Sequence, residues 1–306
     1  MVKSVYKPGQ LFAILFMIVI FGLMIFALSN SNNDKAPAPK VIAPYLLALF
    51  CLYFIYTFFQ RAPRISMDDN TIAVKYFFKL KLYHWTEVNA VAMSSKQNYS
   101  VLLLFGQSLE ATCVSFNNGE KLFIWDDMYS NTASMRQLIA NNTKDKITDP
   151  APHINTKLIF ADKKTYAGNP WITFNSIIII AMAVCFTIMF LNHPIHPEMA
   201  WFPVGCVLLF GLALGTQMNY FVLDGTSLHV KNHYFFWKNK VFDLTDINEF
   251  AIETPHKRST SLRVITKDFQ SKLFGAGSLR EKNWRQLRDD ITAIGIPVRA
   301  DTYIGR

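Results

Sequence analysis

Apolar and polar positions follow two regimes along this chain, and the succession runs through twice. Two long apolar runs, 11–29 and 41–59, precede a stretch of short β-type runs split by polar turns; a second apolar pair, 171–191 and 201–220, precedes a second such stretch. Runs 11–29 and 171–191 contain no Asp, Glu, Lys or Arg and approach the roughly 20 residues that a helix needs to cross a bilayer. Runs 41–59 and 201–220 are similar but interrupted by Pro44, Pro203 and glycines. The pattern predicts four spanning helices arranged as two hairpins.

The polar stretches repeat in detail. Ile72-x-Val74-Lys75, Phe77-Phe78 and Trp85-Thr86-Glu87-Val88-Asn89 return as Leu228-x-Val230-Lys231, Phe235-Phe236 and Leu244-Thr245-Asp246-Ile247-Asn248. Lys121-Leu122-Phe123 answers to Lys272-Leu273-Phe274, and Met135-Arg136-Gln137-Leu138 to Trp284-Arg285-Gln286-Leu287. The offset drifts from about 156 residues to about 149, as a duplicated unit with unequal loops would give. The first copy carries extra residues around Lys96 to Thr112. Within each copy, the 101–105 run, the Asn117-Asn118-Gly119 turn and the Asp224-Gly225 turn read as hairpin elements. Each copy ends in a helix: Trp284, Leu287, Ile291 and Ile294 share one face behind a Ser278-x-x-Glu281 capping-box spacing, with Gly295 and Pro297 as the stop. Antiparallel strands curled into a small barrel under a terminal helix fit this pattern and leave few open sheet edges.

Composition strengthens the membrane reading. Half of the 306 residues are hydrophobic (51%), only 17% are charged, and the mean hydropathy is +0.17. Lys3 and Lys7 precede the first run, which is longer than a signal-peptide core, so an uncleaved anchor is expected. Lys3, Lys7, Arg61, Arg64, Lys163 and Lys164 flank one side of the predicted spans, whereas the 192–200 connector has no Lys or Arg. Positive-inside asymmetry therefore places both termini and both polar segments in the cytoplasm of a multi-pass inner-membrane protein. A net charge of +9 suits a surface facing anionic lipid, and no basic recognition helix points to nucleic acid. Cys51, Cys113, Cys185 and Cys206 have no metal spacing and form no disulfide framework.

An Asp turn, an Ile-x-Val-Lys strand, a Lys- and aromatic-rich segment and the Trp/Leu-Thr-Glu/Asp-Val/Ile-Asn segment, all directly after an apolar hairpin, resemble the bacterial pleckstrin-homology-like membrane proteins. The resemblance implies a seven-stranded barrel-like domain capped by a helix, with no general catalytic function. The expected organisation is a hairpin over 1–60, a first domain over 61–145, a linker over 146–169, a second hairpin over 170–220 and a second domain over 221–306.

Candidate chemistry is sparse. No Walker-type loop, His-Glu-x-x-His, Cys-x-x-Cys or Gly-x-Ser-x-Gly is present, and a non-enzymatic role without cofactor or metal is expected. Gly275-Ala276-Gly277-Ser278 reads as a turn with a helix cap, and His193 with His196 as part of a tight proline-rich connector. The four apolar cores hold no ionisable group, which argues against a proton-coupled transporter. Gly211 and Gly215 have the small-x-x-x-small spacing that lets helices approach closely. Lys75, Lys79 and Lys81, echoed by Lys231, Lys238 and Lys240, are similar to the Lys-x(n)-Lys-x-Arg arrangement with which eukaryotic pleckstrin-homology domains hold inositol phosphates, with Lys in place of the final Arg. They are the candidate anion- or lipid-binding residues; the alternative is a set of edge-strand lysines that discourage aggregation. The functional expectation is a binding protein for anionic lipid or a protein partner. An immunity or accessory protein for a membrane-attacking effector is a second reading. A membrane enzyme acting on lipid head groups, through Asp126, Asp127 and the connector histidines, is a third.

Overall fold

The computed structural model describes residues 1–29, 38–100, 106–147, 160–192, 197–255 and 259–300, and the chain divides into two units, Met1–Pro150 and Ala151–Arg306. The run at 101–105, the histidine connector and residues 148–159 of the 146–169 linker lie outside the described residues.

The first unit begins with a two-residue strand, β1 (Val2–Lys3), followed by the apolar helices α1 (Pro8–Ser29) and α2 (Ala38–Arg61). Strands β2 (Arg64–Met67), β3 (Thr71–Lys75) and β4 (Leu80–His84) come next, then β5 (Val88–Ser100), β6 (Gly106–Phe116) and β7 (Lys121–Trp125), and helix α3 (Thr132–Asn142). The strands make two antiparallel sheets, ordered β1-β2-β3-β4 and β5-β6-β7. Period-two alternation explains the inward residues: Ile72 and Val74 on β3, and Leu122 and Ile124 on β7, are buried, as are Met135 and Ile139 of α3. The extra residues of the first copy lengthen the β5–β6 hairpin, whose strands stay paired out to Ser100 and Gly106.

The second unit repeats the plan. It comprises β8 (Phe160–Tyr166), α4 (Phe174–Asn192), α5 (Pro197–Gly215), β9 (Asn219–Gly225), β10 (Ser227–Asn232), β11 (Asn239–Asp243), β12 (Ile247–Glu253), β13 (Ser261–Thr266), β14 (Ser271–Gly275), α6 (Glu281–Ala293) and β15 (Val298–Ala300). Its sheets are ordered β11-β10-β9-β8 and β14-β13-β12-β15, with β15 parallel to β12. One buried cluster draws Phe221, Val230, Phe250 and Val264 from both sheets together with Trp284, Leu287 and Ile291 of α6. Gly168 is the tightest point: a Cβ there would sit 1.5 Å from the Ser278 carbonyl oxygen, so only glycine fits.

Three expectations change. First, in each unit a strand lies before the helical pair and joins the sheet that follows it. Val2 and Lys3 pair with Met67 and Ser66, and Lys164–Tyr166 pair with Leu223, Val222 and Phe221. The helices are therefore an insertion between adjacent strands of one sheet, and β8 falls inside the segment read as linker. Second, α6 starts at Glu281 with Arg280 as its N-cap and no side-chain cap bond, so Ser278 does not close a capping box. Third, the membrane-spanning set is smaller. Among the described residues, one helix is long and apolar enough to cross a bilayer: Pro8–Phe26, 19 residues with a mean hydropathy of 2.6 and none of that window buried. Tyr45–Arg61 and Ser176–Met189 are shorter apolar helices, below the length that spans a hydrocarbon core. Four spanning helices in two hairpins, and the multi-pass inner-membrane placement with cytoplasmic termini and domains derived from them, are thus replaced by a β-rich fold with one apolar candidate span near the N-terminus. A signal sequence passes the same length-and-composition test.

Candidate functional site

The repeated Phe-Phe segments form the turns β3–β4 and β10–β11. In the first unit the turn is closed by Tyr76 N–H donating to the Lys79 carbonyl at 2.8 Å, and it leaves Phe77 and Phe78 46% and 79% exposed. Both rings lie beside the C-terminal end of α2: Phe77 is 5.9 Å from Phe59 and 6.2 Å from Tyr56, centroid to centroid. Arg64 pairs in register with Lys75, and together with Phe59, Tyr76 and Phe77 these two residues line a cavity of about 200 Å³.

In the second unit a buried asparagine builds the turn. Asn232 Oδ1 accepts from the backbone N–H groups of Tyr234 and Phe235, while its Nδ2 donates to the Gly215 carbonyl at 3.0 Å and to Asn219 Oδ1 at 3.1 Å. The turn is thereby fastened to the end of α5, and Phe236 and Trp237 project from it 83% and 66% exposed. Large apolar rings thus stand exposed at the same place in both units.

The six candidate lysines do not converge as triplets. Lys75 lies opposite Arg64 and Leu80, whereas Lys81 lies opposite the buried Val74 and so points to the other face of the sheet. Likewise Lys231 pairs with Tyr220 and Asn239, while Lys240 lies opposite the buried Val230. Lys79 is exposed in the first turn, and Lys238 in the second places its ammonium 4.5 Å from the Phe235 ring centre.

Lys81 and Lys240 instead reach the seam where the edge strand of one sheet meets the edge strand of the other. In the first unit a carboxylate fills that seam: Glu120 takes an ion pair from Lys81 and a hydrogen bond from the Tyr83 hydroxyl. The Lys81 and Tyr83 bonds hold the Glu120 carboxyl below its ordinary pKa. In the second unit Lys240 meets another lysine. Its ammonium is 5.7 Å from the Phe242 ring centre and 5.9 Å from that of Phe274, and Lys272 Nζ is 6.0 Å from the Phe242 ring. Desolvation, and then the adjacent Lys272 ammonium, lower the Lys240 pKa to about 8, although the residue as a whole is exposed.

No protein-family model matches the chain, and no curated protein matches it. The site therefore stands on its own geometry.

Lys272 carries no matched signal in the sequence. The Lys-Leu-Phe identity aligns it with Lys121, but the strand registers do not: Val264 pairs with Lys272, whereas the corresponding Val114 pairs with Leu122. The two units are anchored by Ile247 opposite Thr266 and Val88 opposite Phe116, so Gln270 stands where Glu120 stands. Of the remaining candidates, Gly211 faces open space, while a Cβ on Gly215 would come within 3.3 Å of the Phe235 ring, so Gly215 makes room for the second turn. Asp126 is buried against Arg136 and is held by an ion pair of 2.6 Å. Among the described residues no three His, Cys, Asp or Glu converge as metal ligands.

Proposed function

We propose that this is a non-catalytic binding protein whose two β units engage an anionic lipid surface through the β3–β4 and β10–β11 turns. The observation that carries the reading is the recurrence of one device: exposed aromatic rings at a turn tip, with Lys75 and Lys79 beside them in one unit and Lys238 in the other. Aromatic rings suit the boundary between head groups and acyl chains, and each nearby Lys adds roughly 1 kcal/mol of attraction to an anionic leaflet. Each turn also sits against the end of an apolar helix, through Tyr56 and Phe59 in the first unit and Gly215 in the second. The chain's charge of +9 has the matching sign.

The test places the full chain in nanodiscs of phosphatidylcholine alone or mixed with phosphatidylglycerol. Backbone amide exchange across 75–80 and 232–239 is expected to slow when phosphatidylglycerol is present. Phe78→Ser combined with Phe236→Ser and Trp237→Ser should abolish the slowing, because burying one Phe side chain is worth about 1.5–3 kcal/mol, a roughly ten- to hundredfold change in partition. Exchange that ignores lipid charge and these substitutions would refute the reading.

A further inference from the structure

The two seams differ in one respect that neither packing nor the lipid-surface reading explains. A lysine on the inward side of an edge strand is common to both, Lys81 opposite Val74 and Lys240 opposite Val230. The first unit supplies its own counter-ion, Glu120. At the same register the second unit has the neutral Gln270, whose side-chain amide donates to Asp268 at 2.6 Å. It then adds a second cation, Lys272, at the register of the apolar Leu122. Among the described residues no carboxylate pairs with Lys238, Lys240 or Lys272. Two ammonium groups held near Phe242 and Phe274 repel one another, and the aromatic faces offset that repulsion only in part, since no anion is supplied.

Beside Lys240 lies a cavity of about 420 Å³, bordered by Thr216, Asn219, Trp237, Lys238, Lys240 and Phe274, with Lys272 next to Leu273 of its lining. It offers ammonium donors between aromatic walls, whereas Thr216 Oγ1 already donates to the Ala213 carbonyl and Asn219 Nδ2 to the Thr216 and Gly275 carbonyls. Its volume falls within the range of small-ligand pockets.

We propose that the β11–β14 seam of the second unit is a phosphate-binding site, in which Lys240 and Lys272 take the place of a carboxylate-neutralised pair by gripping a phosphate mono- or diester, with Lys238 at the mouth. The first unit, closed by Glu120, has no such site. Lys231 is excluded, since it faces the opposite side of the sheet. The phosphate belongs either to a soluble ester or to a lipid head group. The proposal is independent of the turns inserting into a bilayer.

The experiment uses the full chain in mild detergent, titrated calorimetrically with inorganic phosphate and with glycerol 3-phosphate, and in phosphatidylglycerol nanodiscs monitored by amide exchange of residues 238–242 and 271–275. Lys240→Gln with Lys272→Gln should weaken binding at least about tenfold, as expected for loss of charge-assisted contacts, while Lys231→Gln leaves it unchanged. Lys240→Arg should restore most of it.

Phosphate favours the charged form of Lys240. Affinity is therefore greatest below about pH 8 and falls as pH rises through that value, with proton uptake on binding near it. Lys272 on β14 and Lys238 in the turn are the charged groups bordering Lys240 in that range.

Lys-dependent binding of the soluble esters identifies a small-molecule phosphate; Lys-dependent protection in nanodiscs alone identifies a head group. Absence of both, or binding that survives the double Gln substitution, overturns the site. Soluble-ester binding without protection of the exposed turns would leave this site standing and remove the lipid-surface reading instead.

Discussion

Arg136→Met is expected to destabilise the first unit by about 3–5 kcal/mol, the cost of leaving one member of a buried ion pair uncompensated. Arg136 and Asp126 are each 1% exposed in their side chains and 2.6 Å apart, and Arg136 Nε also donates to Thr112 Oγ1 at 2.6 Å. The arginine joins α3 to the β6–β7 sheet. Removing it takes from the buried Asp126 the cation 2.6 Å away, and methionine fills the volume without supplying a charge. Asp126→Asn combined with Arg136→Met should recover part of the loss, because neither position of the pair then carries a charge. Denaturant unfolding of the full chain in mild detergent reads both variants. A single-variant loss below about 1 kcal/mol would show that water reaches the pair, since exposed pairs are worth no more than that.

Trp284→Ala should be comparably severe in the second unit, at about 3–5 kcal/mol. The indole is 1% exposed, stands 5.7 Å from Phe221 and belongs to the cluster that fixes α6 across both sheets. Trp284→Phe is the informative companion. Among the described residues the indole N–H has no hydrogen-bond partner, so phenylalanine removes a buried polar group along with some volume. Its net cost should be less than half that of alanine. Equal losses in the two variants would mean that indole shape, rather than apolar bulk, positions the helix.

The internal repeat was legible because duplicated features sit where side-chain chemistry is local. The Trp85-Thr86-Glu87 and Leu244-Thr245-Asp246 segments both fold as 3-10 turns, and the Phe-Phe pairs both occupy hairpin turns. The strands before the helices were not legible. Val2–Lys3 is too short to show alternation, and Phe160–Tyr166 is dominated by Asp162, Lys163 and Lys164; both are strands because an edge needs a partner. Arg136 and Arg285 show the same limit from another side: they occupy matching Arg-Gln-Leu triplets, yet one is buried against Asp126 and the other pairs at the surface with Glu281. The lysine pair escaped for a related reason. Residue identity placed Lys272 against Lys121, and only the backbone register, counted from the 3-10 turn, shows that it occupies the place of Leu122.

The strand that precedes each helical pair sets the order in which the molecule can assemble. β1 is made before β2, which is about 60 residues away, and closing so long a flexible loop is entropically unfavourable until α1 and α2 have come together, as in their Phe21–Phe50 contact at 5.9 Å. Whatever environment lets the two helices meet therefore acts as a checkpoint for sheet completion. Until that moment β2 is an open edge, ready to accept a strand from another chain. Synthesis in a setting that keeps the apolar helices apart should yield strand-exchanged aggregates, and β1, made before its partner, would reach its native place after it.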